Sequence, residues 1–335
     1  MVKLIKEEMK GGTCMPNLND VAKKAGVSPS TVSRVLNNHP YVNKEKREKV
    51  LQIIEDLNYI PNINAIHLKT GKTHLIGVII PFSSHPYFSK LIQGISEEAV
   101  KMNKKIVLFQ TAYDLDQELD ALEMLKLKQL DGLIICSRNI SLNIINDYLQ
   151  YGPISIFEKT DHNNIHSTYI DHYEAFLKAL NHLYNYGHRH IGCVINRTKS
   201  TSSLQRIQSY KDFCNNKEIT FDPQNIFENY VLLEDGKKLC KKLESLTHPP
   251  TAIIITGDTT AAGLILSLND DLKQRLSIIG FENHEISNLV NLTTVEIPLL
   301  AIGRHLFKQL YNTSISHTSF ETKLIQRQSV MDINR

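Results

Sequence analysis

The chain has 335 residues, 41% of them hydrophobic, which exceeds one typical domain and suffices for more than one core. Its formal charge of +3 hides an asymmetry: residues 16–74 hold nine Lys and Arg against five Asp and Glu, and residues 75–335 hold 26 against 28, so the capacity for phosphate contacts sits near one end. No apolar run approaches the roughly 20 residues of a membrane helix, no signal-peptide-like segment is present, and the cysteines at 14, 136, 193, 214 and 240 lack metal-site spacing, which excludes membrane, disulfide-scaffold and zinc-module classes and points to the cytoplasm.

Residues 1–15 show no apolar period, and Lys10-Gly11-Gly12 has the coding potential of a purine-rich ribosome-binding site shortly before Met15. Met15 is therefore the expected start, residues 1–14 its expected leader, and 1–15 a segment expected to be disordered or untranslated. Leu18, Val21, Ala22 and Ala25 then recur at i, i+3, i+4 and i+7, which predicts a helix with Asn17 as N-cap and Gly26 as its end. Ser28 can cap a second helix with Pro29 at its first position. On that helix Val32, Val35 and Leu36 fall on one side, and Ser30, Ser33, Arg34 and Asn37 on the other. Two capped helices and a tight turn read as a helix-turn-helix whose small polar residues around one Arg suit a DNA major groove. A helical hairpin with a polar outer face is the other reading of the same spacing.

Asn43 can cap a third helix over Lys44 to Asn58 with Val50, Ile54 and Leu57 inward, and Pro61 breaks it. The stretch from Asn62 to Thr70, with Ala65 and Leu68 three apart, is too short to be helical alone; it orders on a partner or DNA, or is a plain linker. From His74 onward, short apolar runs alternate with amphipathic helices, which predicts α/β with a parallel sheet. The expected strands are Leu75 to Ile80, Lys105 to Gln110, Gly132 to Cys136, Pro153 to Phe157, Ile191 to Ile195, Ala252 to Thr256 and Ser277 to Phe281. Two doubly wound sheets of this size leave a cleft between them.

A nucleotide-binding enzyme competes for this part, but the first strand runs into Pro81-Phe82-Ser83-Ser84 where a glycine-rich turn would be needed. His162, His166 and His172, and likewise His182, His188 and His190, are close in sequence without a carboxylate pair beside them, so no metal and no cofactor is expected.

The motifs DVAKKAGVSPSTVSRVLN, YIPNINAIHLKTGKTHLIGVIIP, KQLDGLII, YGHRHIG, PTAIIITGD and SIIGF resemble those of the lactose/galactose-repressor (LacI/GalR) family of bacterial transcription regulators, from about Asn17 to near the C-terminus. VLNNHPYVNKEKR and LDGLIICSR point to its catabolite-control branch. The resemblance implies an N-terminal all-α helix-turn-helix head followed by a periplasmic-binding-protein-like α/β core of two doubly wound parallel-sheet subdomains. The expected limits are 16–61 for the head, 62–73 for a hinge helix and linker, and 74–335 for the core, with one subdomain about 74–172 and 294–324 and the other about 173–293 and 325–335. It also implies a homodimer or dimer of dimers on a near-palindromic operator. Pro29, Ser30 and Arg34 would face base edges, and Asn17, Ser28, Thr31, Asn37, Tyr41 and Asn43 would contact the DNA backbone or cap helices. Asn62, Ala65 and Leu68 would belong to the hinge, with Leu68 entering the minor groove at a deformable central pyrimidine-purine step.

By the same resemblance the cleft takes a small effector, a sugar or sugar phosphate, whose closure of the cleft shifts the hinges. Phe82, Ser84, Tyr87, Asp171, Arg206, Asp258 and Glu282 are the implied effector residues. Two departures stand out: Gly257-Asp258 replaces the usual Asn-Asp, and Glu282-Asn283 replaces Asp-Asp. An Arg206–Glu282 ion pair with no ligand role is the alternative. A protein co-repressor is a further implied partner, although no Arg pair follows Ile286. The expectation is a repressor of carbohydrate genes and not an enzyme; a solute-binding protein or a sugar-modifying enzyme would share the core but not the head.

Overall fold

The structure, a computed structural model, describes residues 16–61 and 70–334, and the chain divides after Lys72 into two units. The expected leader and the hinge residues Asn62, Ala65 and Leu68 lie outside the described residues.

In the first unit, α1 (Leu18–Ala25), α2 (Pro29–Leu36) and α3 (Lys44–Asp56) each start on a side-chain cap. Asn17 Oδ1 accepts from the N–H groups of Asn19 at 2.9 Å and Asp20 at 3.3 Å, and the Asp20 carboxylate accepts from Asn17 N at 2.8 Å, a capping box. Gly26, at φ +67°, takes the left-handed conformation that ends α1. Val21, Ala22, Ala25, Val32, Val35, Val50, Ile53 and Tyr59 form the core. Ile53 and Tyr59 fill places expected of Ile54 and Leu57, which are only half-buried.

The second unit opens with β1 (Leu75–Ile80), α4 (Pro86–Lys101), β2 (Lys105–Gln110), α5 (Leu115–Lys126), β3 (Gly132–Ile135), α6 (Leu142–Tyr148), β4 (Ile154–Phe157) and β5 (His166–Ile170). It continues through α7 (His172–Asn185), β6 (Ile191–Val194), α8 (Thr201–Asn216), β7 (Ile226–Phe227), α9 (Leu233–Glu244), β8 (Ala252–Ile255), α10 (Asp258–Ser267) and α11 (Asp270–Arg275). It closes with β9 (Ser277–Glu282), α12 (Glu285–Leu289), β10 (Thr293–Glu296), α13 (Leu299–Gln309), β11 (His317–Phe320) and β12 (Lys323–Ile325).

One sheet has the order β11-β5-β4-β3-β1-β2 and the other β12-β10-β9-β8-β6-β7. Every pairing is parallel except β10 with β12. Leaving out β11 and β12, the two sheets share one winding order, reversing between β1 and β3 in the first and between β6 and β8 in the second. Ligands of open α/β sheets bind at such reversals, outside the carboxyl ends of the strands. The return to the first sheet, expected near residue 294, comes only after Glu296, because β10 pairs along its length with β9.

Among the described residues, five strands escaped the sequence reading. β5 is buried although it reads His166-Ser167-Thr168, and its hydroxyls are satisfied internally: Thr168 Oγ1 donates to Gln309 Oε1 at 2.6 Å and Ser167 Oγ to Glu158 O at 2.5 Å. Close helix packing rests on glycine. A Cβ at Gly263 of α10 would meet Leu233 O at 1.9 Å.

Candidate functional site

On the first unit, Pro29, Ser30, Arg34 and Asn37 are exposed along one face of α2, and Thr31 and Ser33 are half-buried. The Ser28 hydroxyl accepts from Thr31 N at 3.2 Å and lies 2.7 Å from Ser30 Oγ and 2.9 Å from Thr31 Oγ1, so these hydroxyls are held as one group. Asn37 Nδ2 donates to Ser33 O at 2.7 Å. The Arg34 guanidinium has no hydrogen bond or ion pair among the described residues, leaving its fork free for a bidentate acceptor such as guanine O6 and N7.

Asn17 and Asn43 spend their side-chain oxygens on caps, Asn43 Oδ1 accepting from Glu45 N at 2.9 Å. Their amide N–H groups remain as donors beside helix N-termini, where anions are favoured. Tyr41 is 88% exposed and lies 5.5 Å from the His39 ring. The sequence reading missed Arg47, which donates to Asn38 Oδ1 at 2.6 Å and to His39 O at 2.5 Å and so braces the loop before Tyr41.

In the second unit a cleft of about 760 Å³ lies between the two sheets, lined from the loops at the carboxyl ends of β1 through β9. Phe82, Tyr87, Arg206 and Glu282 line it; Ser84, Asp171 and Asp258 do not. Ser84 is exposed on the loop after β1. Asp171 caps α7, its carboxylate accepting from Glu174 N at 2.9 Å. Asp258 is fully buried beneath the lining, accepting from Thr294 Oγ1 at 2.7 Å and from His284 N at 2.8 Å. Burial and the nearby Glu282 carboxylate push its pKa up to about 7.

Arg206 does not pair with Glu282. Its Nη2 donates to His172 Nδ1 at 3.0 Å, and its buried Nε has no partner among the described residues. Burial and the Arg206 charge lower the His172 pKa, so that ring is neutral and can accept. Glu282 instead lies 2.9 Å from His284 Nε2. Burial disfavours the charged His284 ring, but the Glu282 carboxylate outweighs it and raises the pKa.

Tyr87 and Phe157 stack with centroids 6.2 Å apart, and Phe82 meets Tyr113 edge-on at 5.9 Å, giving the cleft aromatic walls. Burial raises the Tyr87 phenol pKa, and burial pushes the Cys136 thiol up to about 12, so both stay neutral.

Groups from the two sheets meet across the cleft. The Arg197 guanidinium lies over the Tyr113 ring at 3.5 Å and donates to Ser137 Oγ at 3.3 Å, Arg138 O at 3.0 Å and Asn139 Oδ1 at 2.8 Å. Thr201 Oγ1 donates to Glu158 Oε1 at 2.7 Å, and Arg138 pairs with the same carboxylate at 2.7 Å. Tyr113, Arg197, Asn229 and Glu282 have φ of 65°, 50°, 68° and 111°, conformations that L-residues adopt at a cost and that gather at ligand sites.

The sequence reading missed Tyr113, Arg138, Phe157, Glu158, His172 and Arg197. A signal for Phe157, Glu158, Arg138 and Arg197 existed, since each ends or closely follows an expected strand. Tyr113 lay beyond that signal, three residues past β2, and His172 follows a strand that was not recognised.

Residues 17–62 match the family described as bacterial regulatory proteins, lacI family, and residues 73–330 match the periplasmic binding proteins and sugar binding domain of the LacI family. The chain is 36% identical to the uncharacterized HTH-type transcriptional regulator YkvZ of Bacillus subtilis, covering 94% of this chain and 100% of that protein. It is 35% identical to catabolite control protein B of the same organism, covering 86% and 92%. Its fold superposes with a TM-score of 0.78 on the lac repressor dimer bound to operator and the anti-inducer ONPF, at 22% identity over 94% of this chain and 99% of that one. Among the described residues no helix is long and apolar enough to cross a membrane, and no cluster of His, Cys, Asp or Glu is arranged to hold a metal. The two matches together cover residues 17–62 and 73–330, nearly the whole chain that carries the helix-turn-helix and the cleft, and the chain belongs to the LacI family of bacterial regulatory proteins, the DNA-binding transcriptional regulators.

Proposed function

We propose that this chain is a cytoplasmic repressor of carbohydrate genes that binds a near-palindromic operator as a homodimer and responds to a carbohydrate in its cleft. The observation that carries the reading is the exposed face of α2, where the Arg34 guanidinium, beside Ser30 and Pro29, has no partner among the described residues. Those three residues read base edges. Asn17, Ser28, Thr31, Asn37, Tyr41 and Asn43 fix the helices on the phosphates, directly or by capping. Residues 62–73, with Asn62, Ala65 and Leu68, form the hinge. Support for the dimer and the operator comes from the lac repressor, which is a dimer on operator DNA in the matching structure, and support for carbohydrate control from the match to catabolite control protein B.

In the cleft, a ligand ring slots against Tyr87 and Phe157, an acceptor on it satisfies Arg206 Nε, and a hydroxyl donates to Glu282. Binding alters the contacts that Arg197 and Glu158 make between the sheets and so biases their relative placement. The reading is tested with a reporter gene placed behind an operator selected by the protein. Expression of the chain lowers reporter output, and Arg34→Ala restores it. Reporter output that ignores the wild-type chain contradicts the reading.

A further inference from the structure

The charges of the cleft do not balance. Glu158 is matched by Arg138 at 2.7 Å, and Glu282 by His284 at 2.9 Å. Arg197, Lys199, Lys159 and Arg206 also line the cleft, and none of them has an ion-pair partner among the described residues. Arg197 spends its donors on neutral oxygens, Arg206 donates to a neutral imidazole, and Lys159 sits over the Tyr169 ring at 5.8 Å. Against these stands one unmatched lining carboxylate, Glu228, which is exposed and accepts from Thr198 Oγ1 at 3.3 Å. Arg197 and Arg206 are half-buried, so solvent screens them less than it screens Glu228.

The cations are also grouped. Arg197, Thr198 and Lys199 run directly into the Ser200 cap of α8, and Ser200 to Ser203 line the cleft, so the N-terminal end of a 16-residue helix adds its positive dipole end to the same loop. Arg206 lies one turn further along α8, with its buried Nε and the neighbouring Gln205 Oε1 unpartnered among the described residues. A cleft lined by one excess sign concentrates ligands of the opposite sign.

We infer that the effector is an anionic carbohydrate, whose phosphate or carboxylate is held by the β6–α8 loop around Arg197 and Lys199 while its ring lies against Tyr87, Phe157 and Arg206. This rests on the reading of the cleft as a carbohydrate site and goes one step further in assigning the ligand a negative charge. Neutral sugars would leave the Arg197 and Lys199 charges in the lining uncompensated.

The test is calorimetric titration of the full chain with matched probes: glucose, glucose 6-phosphate, glucuronate, fructose, fructose 1-phosphate, and inorganic phosphate alone. At least one anionic sugar is expected to bind about tenfold or more tightly than its neutral parent, because a charge-assisted bond is stronger than a neutral one. Raising the salt concentration shrinks that ratio. The Lys159→Ala, Lys199→Ala double variant shrinks it as well, with thermal unfolding as the check that the variant is folded. A response to glucuronate alone or to the phosphates alone separates the two anionic groups. Neutral parents that bind as well as their anionic partners overturn the inference and leave the carbohydrate cleft standing. Inorganic phosphate that binds as tightly as the sugar phosphates overturns it too, by showing an anion site without sugar recognition. No binding by any probe contradicts both the inference and the carbohydrate reading beneath it.

Discussion

The helix-turn-helix and the cleft solve opposite problems with similar residues. Along α2 the Ser30 hydroxyl and the Arg34 guanidinium face solvent, and the local hydroxyl bonds only set orientation; among the described residues that guanidinium has no partner. Beneath the cleft the polar groups are removed from water and bond one another, as in the set Asp258–Thr294–His284. A surface that meets a highly charged polymer can keep its donors hydrated until contact. A cavity for a small polar molecule has to hold charge under low dielectric, and its stability then depends on internal compensation. The difference teaches that mutations on α2 should change recognition with little change in stability, whereas mutations under the cleft should change stability first.

The sharpest break in that comparison is predicted at Asp258, which shares its surroundings with Glu282 and His284. Its pKa is about 7 in the fold against 3.8 for a free aspartate, so the folded state holds the proton more tightly. The contribution is fully present below pH 3.8 and is lost as pH rises through about 7. Asp258→Asn removes this titration, and the Thr294 hydroxyl can turn to accept from the new amide. The variant should therefore gain stability relative to the wild type by on the order of 4 kcal/mol between low and high pH. Denaturant unfolding at a series of pH values reads the gap, and a gap independent of pH would contradict the buried coupling.

Gly263→Ala comes next. Its methyl group would press on Leu233 O, and overpacking of this kind costs about 1–3 kcal/mol or more, seen as a lower unfolding midpoint of the core. An unchanged midpoint would mean that α9 and α10 can separate freely. For Arg34→Ala the prediction is a loss of about 1–3 kcal/mol in preference for operator over scrambled DNA, with unfolding unaffected. Competition binding measures it, and a uniform loss on both DNAs would make Arg34 a phosphate contact. The smallest effect is expected for Ser28→Ala, about 1 kcal/mol of helix stability, with Ser28→Asp recovering most of it because an aspartate also caps. Failure of the aspartate to recover stability would point to the Ser30 and Thr31 hydroxyl contacts instead of the cap.

The legibility of the sequence followed the same divide. α1, α2 and their caps were readable because Asn17, Gly26, Ser28 and Pro29 act on neighbours within four residues. The central strands of both sheets were readable from apolar runs such as Leu75–Ile80. β5 and β10 were not, because their Ser and Thr side chains are satisfied by distant partners: Thr168 by Gln309, and Thr294 by Asp258. In the cleft, the resemblance pointed to Phe82, Tyr87, Arg206 and Glu282, all of which line it. The cross-cleft set of Tyr113, Arg138, Glu158 and Arg197 is made by chain segments far apart in sequence; the ends of the expected strands marked the places of Arg138, Glu158 and Arg197, but no local pattern announces Tyr113 or the contacts among the four. Asp258 shows the converse: its motif position suggested a ligand residue, while its burial takes it out of the lining.

Selection of bound sequences from a random double-stranded DNA pool, using the full chain, tests the central claim most directly. The account predicts recovery of a two-fold symmetric site whose symmetric positions lose their preference with Arg34→Ala. Recovery of no preferred sequence, with binding that vanishes as salt rises, would contradict it, because backbone electrostatics alone would then explain the interaction.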